Sequence, residues 1–335
     1  MNSTERMKKR QAGQPVDRPP NFDILMTFAA HFIGQPLANY YTDYRVLCAA
    51  NWAVQQAFDL DIVQAISDPY REAADLGCEV VFPQDDLPLC THPVLAESLD
   101  LNRLGHSSQP FGPRMTDRLE AVRLLHAEAN GQVPVMGWVE GALAEAADLR
   151  GVTALLTDLL ERPEWVCDLL ERCVEVEIAF ARAQVAAGAD IVGLGDAVAS
   201  QISPRMNRRF ALPYEQRIFD AVHEMGALAR LHICGNTRHI LPDMAQSGAD
   251  ILDLDWMVDF GWAAQVVTGG PALCGNFDPV AVMLQGSPES VYRAVQGCLR
   301  QGGPRSFSAA GCEIPDRTPH ANLYAQKRAL QEFYS

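Results

Sequence analysis

Residues 189–236 read ADIVGLGDAVASQISPRMNRRFALPYEQRIFDAVHEMGALARLHICGN. An apolar run at 190–196 ends in Gly195-Asp196, and Ser203-Pro204 then introduces an amphipathic pattern over 204–225. A second apolar run at 229–235 ends in His232-Ile233-Cys234-Gly235. Near-continuous apolar runs of this length suit parallel strands buried on both faces. Serine before proline suits a helix cap and first turn. Strand, helix, strand is therefore the unit, and it recurs in both directions. Further strands are expected at 21–26, 79–83, 133–138, 250–255, 272–277 and 306–311. Helical patterns lie at 152–186, 237–247 and 288–300, the last behind Ser287-Pro288. Eight strands with intervening helices predict an α/β fold of the closed (β/α)8 TIM barrel type. No G-x-G-x-x-G or P-loop pattern occurs, so an open nucleotide-binding sheet is not supported. Residues 27–75, with Tyr40, Tyr41, Tyr44 and Trp52, read as an N-terminal helical cap. Residues 1–20 read as an arm, and 21–335 as one barrel domain.

The chain has 335 residues, 48% apolar and 21% charged, which is globular composition. Its 27 Lys+Arg against 42 Asp+Glu give a net charge of −15. Nucleic acid and anionic membranes would be repelled, whereas an acidic substrate in a local basic pocket stays compatible. The basic start at 1–18 is not followed by a signal-peptide core, and 24–42 is too polar to span a bilayer. A cytoplasmic protein with reduced thiols is expected. Nine cysteines are an odd number, so complete internal pairing is impossible.

In a barrel, chemistry sits where strands end and βα loops begin. Side chains at i and i+2 of a strand share a face, so His232 and Cys234 can both look into the mouth. Cys312 follows the last predicted strand. One imidazole and two thiolates are a zinc set with a fourth position open to substrate. The same residues also fit a packed cysteine beside a hydrogen-bonded histidine, and the spacing alone leaves both readings standing. Cys48, Cys167, Cys173, Cys274 and Cys298 read as core, and Cys78 and Cys90 as structural. Asp196 could face a substrate or tie up loop N–H groups, and Glu140, after Trp138, could act in the site or start a helix. His31 could line the mouth or sit satisfied in the core. His239 and His320 read as exposed, and the acidic face of 157–177 as a solvated helix.

HICGN at 232–236, GNFDP at 275–279 and GCEIPDRTPHAN at 311–322 resemble the uroporphyrinogen decarboxylase superfamily. The resemblance runs from DRPP at 17–20 to TPHAN at 318–322, and it is closer to the corrinoid-dependent methyltransferases than to the decarboxylases. It implies a barrel, and it implies Zn2+ held by His232, Cys234 and Cys312; Asp255, at the end of another predicted strand, is a candidate fourth ligand or a support. RQAG at 10–13 spells a motif that decarboxylases carry after the first strand, but here it precedes the first strand. The expected position reads Thr27-Phe28-Ala29-Ala30-His31, without an arginine for a substrate's carboxylates.

The expectation is therefore a zinc methyltransferase moving methyl between a corrinoid and a thiol or small methylated donor. Asp196 and Glu140 are its candidate catalytic groups, and Asn276, Trp138 and His31 its candidate substrate contacts. WVEG at 138–141 and Ser67-Asp68-Pro69-Tyr70-Arg71-Glu72 are expected to shape the pocket. No D-x-H-x-x-G pattern occurs, so the corrinoid (a methylcobamide) is expected on a small partner protein. A homodimer is kept open. The alternatives are a uroporphyrinogen decarboxylase and a non-catalytic zinc-binding barrel.

Overall fold

The computed structural model describes residues 1–105 and 111–334. Nine strands occur among them: β1 (Val63–Gln64), β2 (Glu79–Val81), β3 (Leu89–His92), β4 (Val135–Glu140), β5 (Ile191–Gly195), β6 (Leu228–Ile233), β7 (Ile251–Leu254), β8 (Ala272–Phe277) and β9 (Phe307–Ala310). Seven of them form one curled parallel sheet in the order β1-β4-β5-β6-β7-β8-β9, with helices packed outside. This is a mixed α/β, TIM-barrel-like architecture.

Two predicted strands are corrected. The segment expected as a strand at 21–26 makes only an isolated bridge, Asn21 to Ser308. It still runs between the sheet's two edges. Phe22 N donates to Ser308 O at 2.8 Å, Ser308 N to Pro20 O at 2.9 Å, and on the other side Asp61 N to Asn21 O at 2.9 Å. Pro19 and Pro20 have no N–H to give, and the Asp23 carboxylate, not its backbone, accepts from Ala310 N at 2.8 Å. The segment expected at 79–83 lies outside the sheet: β2 pairs antiparallel with β3 as a separate hairpin. The place it was assigned belongs to β1, a two-residue strand.

The helices follow proline. The pattern over 152–186 divides at Pro163 into Val152–Glu161 and Pro163–Ala187, and 204–225 divides near Pro213 into Pro204–Phe210 and Leu212–Glu224. Proline cannot continue a helix but suits its first turn. Residues 237–247 keep only a short helix, Leu241–Met244. Among the described residues no helix is long and apolar enough to cross a membrane.

Alternation along the strands sorts the core into layers. On β4, Met136 and Trp138 join Phe22, Ile24, Ile191, Ile251 and Phe307 inside the sheet's curl, while Val135 and Val139 pack against helices. On β6, Leu231 and Ile233 face the helices. Arg230 and His232 are thereby turned inward, towards Asp253 of β7. The N-terminal helix Ser3–Gln11 sends Met7 into the inner cluster and docks through buried arginines. Arg6 and Arg18 both grip the fully buried Asp61.

Candidate metal centre and cavity

At the carboxyl ends of the strands, His232, Cys234 and Cys312 bring one ligand atom each within 4.8 Å of one another. His232 Nε2 lies 2.9 Å from Cys234 Sγ and 3.8 Å from Cys312 Sγ, and the two sulfurs are 3.6 Å apart. They are not disulfide-bonded. The donor set fits zinc: tetrahedral coordination at ordinary Zn–S and Zn–N lengths spaces its ligands by about 3.5–3.8 Å, which the two separations of Cys312 match, while His232 Nε2 and Cys234 Sγ lie closer in direct contact. The other histidine nitrogen, Nδ1, is 3.1 Å from Asp253 Oδ2, and Asp253 is held in turn by Arg230 Nε at 2.9 and 3.0 Å. A carboxylate behind the imidazole fixes ring and tautomer so that Nε2 is the free donor. The Arg230 guanidinium and the imidazole hold Asp253 below its usual range against the upward push of burial.

The two thiols share their protons unequally. Cys312 is pulled well down, first by its contact with Cys234 and then by His232, whereas Cys234 is pushed up by Cys312 and by burial. One sulfur thus carries thiolate character before any cation arrives.

Asp255 stands outside this three-residue cluster. Its Oδ2 accepts from Gly235 N and its Oδ1 from Met257 N, both at 2.9 Å. It fastens the loop that carries Cys234. Sequence reading passed over Asp253 although the signal was present: Asp253 lies opposite His232 in the β6–β7 register.

The cluster forms one wall of a cavity of about 390 Å3. Ile24, Met26, Tyr41, Ile66, Pro69, Tyr70 and Trp138 supply apolar and aromatic surface, and Leu87 and Pro88 come from the β2–β3 hairpin turn. Ser67, Asp68, Arg71, Glu140 and Glu313 supply the polar groups. Trp138 stands 6.3 Å from the His232 ring, and its Nε1 donates to Glu140 Oε1 at 3.2 Å. Arg71 Nη2 donates to the same oxygen at 2.8 Å and lies 3.3 Å from Glu72 Oε2, while Nη1 donates to Asp68 O. One guanidinium balances one carboxylate, so a second is held protonated. Burial lifts Glu140 to about 8, with Arg71 opposing and Glu72 adding to the rise. Burial likewise lifts Glu313 to about 7, while Thr27 N and Oγ1, at 2.8 and 2.7 Å, favour its charged form.

Three expected site residues are placed elsewhere. Asp196 is fully buried but turns away from the cavity, towards Gly141, where a Cβ would meet its Oδ2 at 2.5 Å. Asn276 spends its amide on Asp255 O and Val258 O, at 3.1 and 2.6 Å. His31 is at the surface, with Nδ1 3.3 Å from Asp316. Arg10 of the RQAG stretch is bound at the opposite end of the strands, to Ser306 O at 2.7 Å and to Gly303 O and Tyr334.

The uroporphyrinogen decarboxylase (URO-D) family model matches residues 2–333. The chain belongs to that family. Among curated members it is 30% identical to a methylcobamide:CoM methyltransferase, MtbA, of Methanosarcina mazei, over 95% of this chain and 94% of that protein. It is 28% identical to a uroporphyrinogen decarboxylase of Xanthomonas axonopodis pv. citri, over 95% and 96%. A solved structure of a methyltransferase from Methanosarcina mazei superposes with a TM-score of 0.88 at 25% identity, covering the whole of both chains. This chain carries His-x-Cys at 232–234 together with Cys312, and no arginine at 27–31.

Proposed function

We propose that this family member is a corrinoid-dependent methyltransferase, a single barrel domain in which residues 20–24 fill the eighth stave. Methyl moves between a methylcobamide on a separate protein and a thiol or small methylated donor. The observation that carries this reading is the His232–Cys234–Cys312 cluster opening into a cavity instead of being closed over. The named methyltransferase relatives support it, and so does the burial of Asp253 behind His232 as an orienting group.

A zinc ion held by His232, Cys234 and Cys312 would lower the pKa of a thiol at its open position or polarise a sulfur leaving group. The chain's own residues do the rest. Asp253 and Arg230 set the imidazole, Asp255 holds the Cys234 loop, and Trp138 walls the approach to the reacting sulfur. Glu140, kept protonated near neutral pH by burial, holds a proton at the cavity wall beside that approach. Methyl transfer to or from cobalt is an in-line displacement, so alignment of sulfur and corrin is the main demand. The cavity mouth is also where the corrinoid protein would dock.

The decarboxylase reading meets two obstacles. A substrate with many carboxylates needs free cationic donors, and Arg71 is fully buried with both terminal nitrogens bonded to neighbours. The RQAG arginine lies at the wrong end of the strands.

The test is metal content and methyl transfer measured beside a Cys312→Ser variant. About one zinc per chain is expected in the parent and a loosened or lost ion in the variant. Methyl transfer from methylcobalamin to a thiol should fall by at least about a hundredfold, the scale of losing several kcal/mol of transition-state stabilisation. Unchanged circular dichroism would show that the variant folds. Full transfer by a metal-free C312S protein would overturn the mechanism, and turnover of uroporphyrinogen would install the rival.

A further inference from the structure

Among the described residues the cavity lining holds three carboxyl side chains, Asp68, Glu140 and Glu313, against one guanidinium. That guanidinium, Arg71, exposes 0% of its surface. Its two terminal nitrogens are taken by Asp68 O and by Glu140 and Glu72. The neighbouring Arg114 is likewise engaged, by Tyr41 O and Asp68 Oδ2. His232 faces Cys234, Cys312 and Asp253 on all its polar sides.

One backbone donor near the mouth is spent as well. The first helical N–H beside the mouth, on Thr27, is given to the chain's own Glu313. Where an arginine-bearing loop would bring positive charge, the segment 27–31 supplies none. A buried sulfonate or carboxylate would find no free guanidinium or ammonium among the described lining residues, and stripping an anion of its water without one is costly in a low-dielectric site. A hydroxyl finds acceptors in Asp68 and Glu313. An amine or onium finds those acceptors and the aromatic faces of Trp138, Tyr41 and Tyr70. The chain's net charge of −15 adds a repulsive field for anions at long range.

We infer that the small methyl-carrying substrate of this cavity has an uncharged or cationic head group, not an anionic one. The inference rests on the methyltransferase reading of the same site. It assigns to the Arg71–Glu140 pair the part of a charge filter, because that pair removes the cavity's only arginine from play.

The probes are three thioethers sharing one CH3–S–CH2–CH2 frame and ending in a sulfonate, a hydroxyl or an amine. Titration calorimetry on the full chain, with and without one equivalent of zinc, measures their affinities at fixed pH and salt. The hydroxyl and amine forms are expected to bind at least about tenfold more tightly than the sulfonate, roughly the discrimination one unpaired buried charge supplies. Glu140→Ala, which removes the oxygen that accepts from Arg71 Nη2, should release that nitrogen and narrow the gap. Equal or tighter binding of the sulfonate, or no measurable binding by any of the three, overturns the inference. A gap that E140A leaves unchanged overturns the role given to the Arg71–Glu140 pair. Methyl transfer from the same thioethers to cob(I)alamin is scored separately. The predicted binding order without any methyl transfer would sink the methyltransferase reading and leave the head-group inference standing.

Discussion

Asp253 is the residue on which the site's geometry turns. It sits between a buried guanidinium and the Nδ1 of a ligand histidine, and it is itself almost wholly buried. Neutralising it as Asp253→Asn should act in two places. The imidazole loses its orienting carboxylate, which typically weakens metal binding by about 10–100-fold. Arg230 is left with an uncompensated buried charge, a loss on the order of 3–5 kcal/mol. Competition against a chelator of known affinity, paired with a urea melt, reads both effects, and wild-type zinc affinity in this variant would remove Asp253 from the site. Asp255→Asn is the informative companion, because Asp255 holds only backbone N–H groups of Gly235 and Met257. An amide oxygen can accept from one of them, so D255N should cost less zinc affinity than D253N.

At the scale of elements, the site depends on β4 and β5 pairing a large residue with a small one. Trp138 stands opposite Gly193 in their register, and a Cβ on Gly193 would meet the indole Cε3 at 2.3 Å and Cζ3 at 2.5 Å. The indole cannot swing aside cheaply while its Nε1 bonds Glu140. Gly193→Ala should therefore cost about 1–3 kcal/mol of overpacking and shift the indole fluorescence. An unperturbed spectrum and melt would show that the wall has slack. The same strand logic explains what could be read without coordinates. Two-residue periodicity put His232 with Cys234 on an inward face, and long apolar runs marked six of the seven paired sheet strands. Parity along β5 also turns Asp196 outward, because Gly193 and Gly195 take the inner positions against Trp138. Two residues of β1 are too few to show any period, so Val63–Gln64 was invisible. Glu79–Val81 has the composition of a barrel strand but closes on Leu89–His92 through a polar, proline-bounded turn. Cys312 beside His232 is a long-range contact; its place after the last predicted strand made it a candidate, and the family resemblance assigned it to the metal.

On the scale of the whole molecule, the chain carries an unusual load of buried carboxyls, and their protonation couples the fold to pH. Burial raises Asp23 from 3.8 to about 6 and Glu215 from 4.5 to about 8, while Glu145, Glu177 and Asp196, also fully buried, are pushed well up. Both oxygens of Glu145, Glu177 and Asp196 lack a hydrogen-bond partner, as a neutral, desolvated carboxyl would tolerate better than an anion. Each group keeps its proton in the native state at a pH where the unfolded chain has released it. Unfolding thus releases protons, and stability falls as pH rises from the unfolded value through the folded one. Asp17 and Asp253 act oppositely because their folded values are depressed, but their contribution is lost only as pH drops below about 4. The optimum should consequently lie near pH 5, with a decline towards pH 8. Each carboxyl still protonated in the native state adds up to about 1.4 kcal/mol of that decline per pH unit. Urea midpoints of the chelator-treated protein at pH 5, 6.5 and 8 measure the slope without the metal's own pH dependence. Glu215→Gln should flatten it, since an amide cannot ionise and Glu215 lies on helix Leu212–Glu224, outside the candidate cavity. A midpoint that is level or rises between pH 5 and pH 8 would mean that these carboxyls are ionised in the folded chain, and that water or ions reach them.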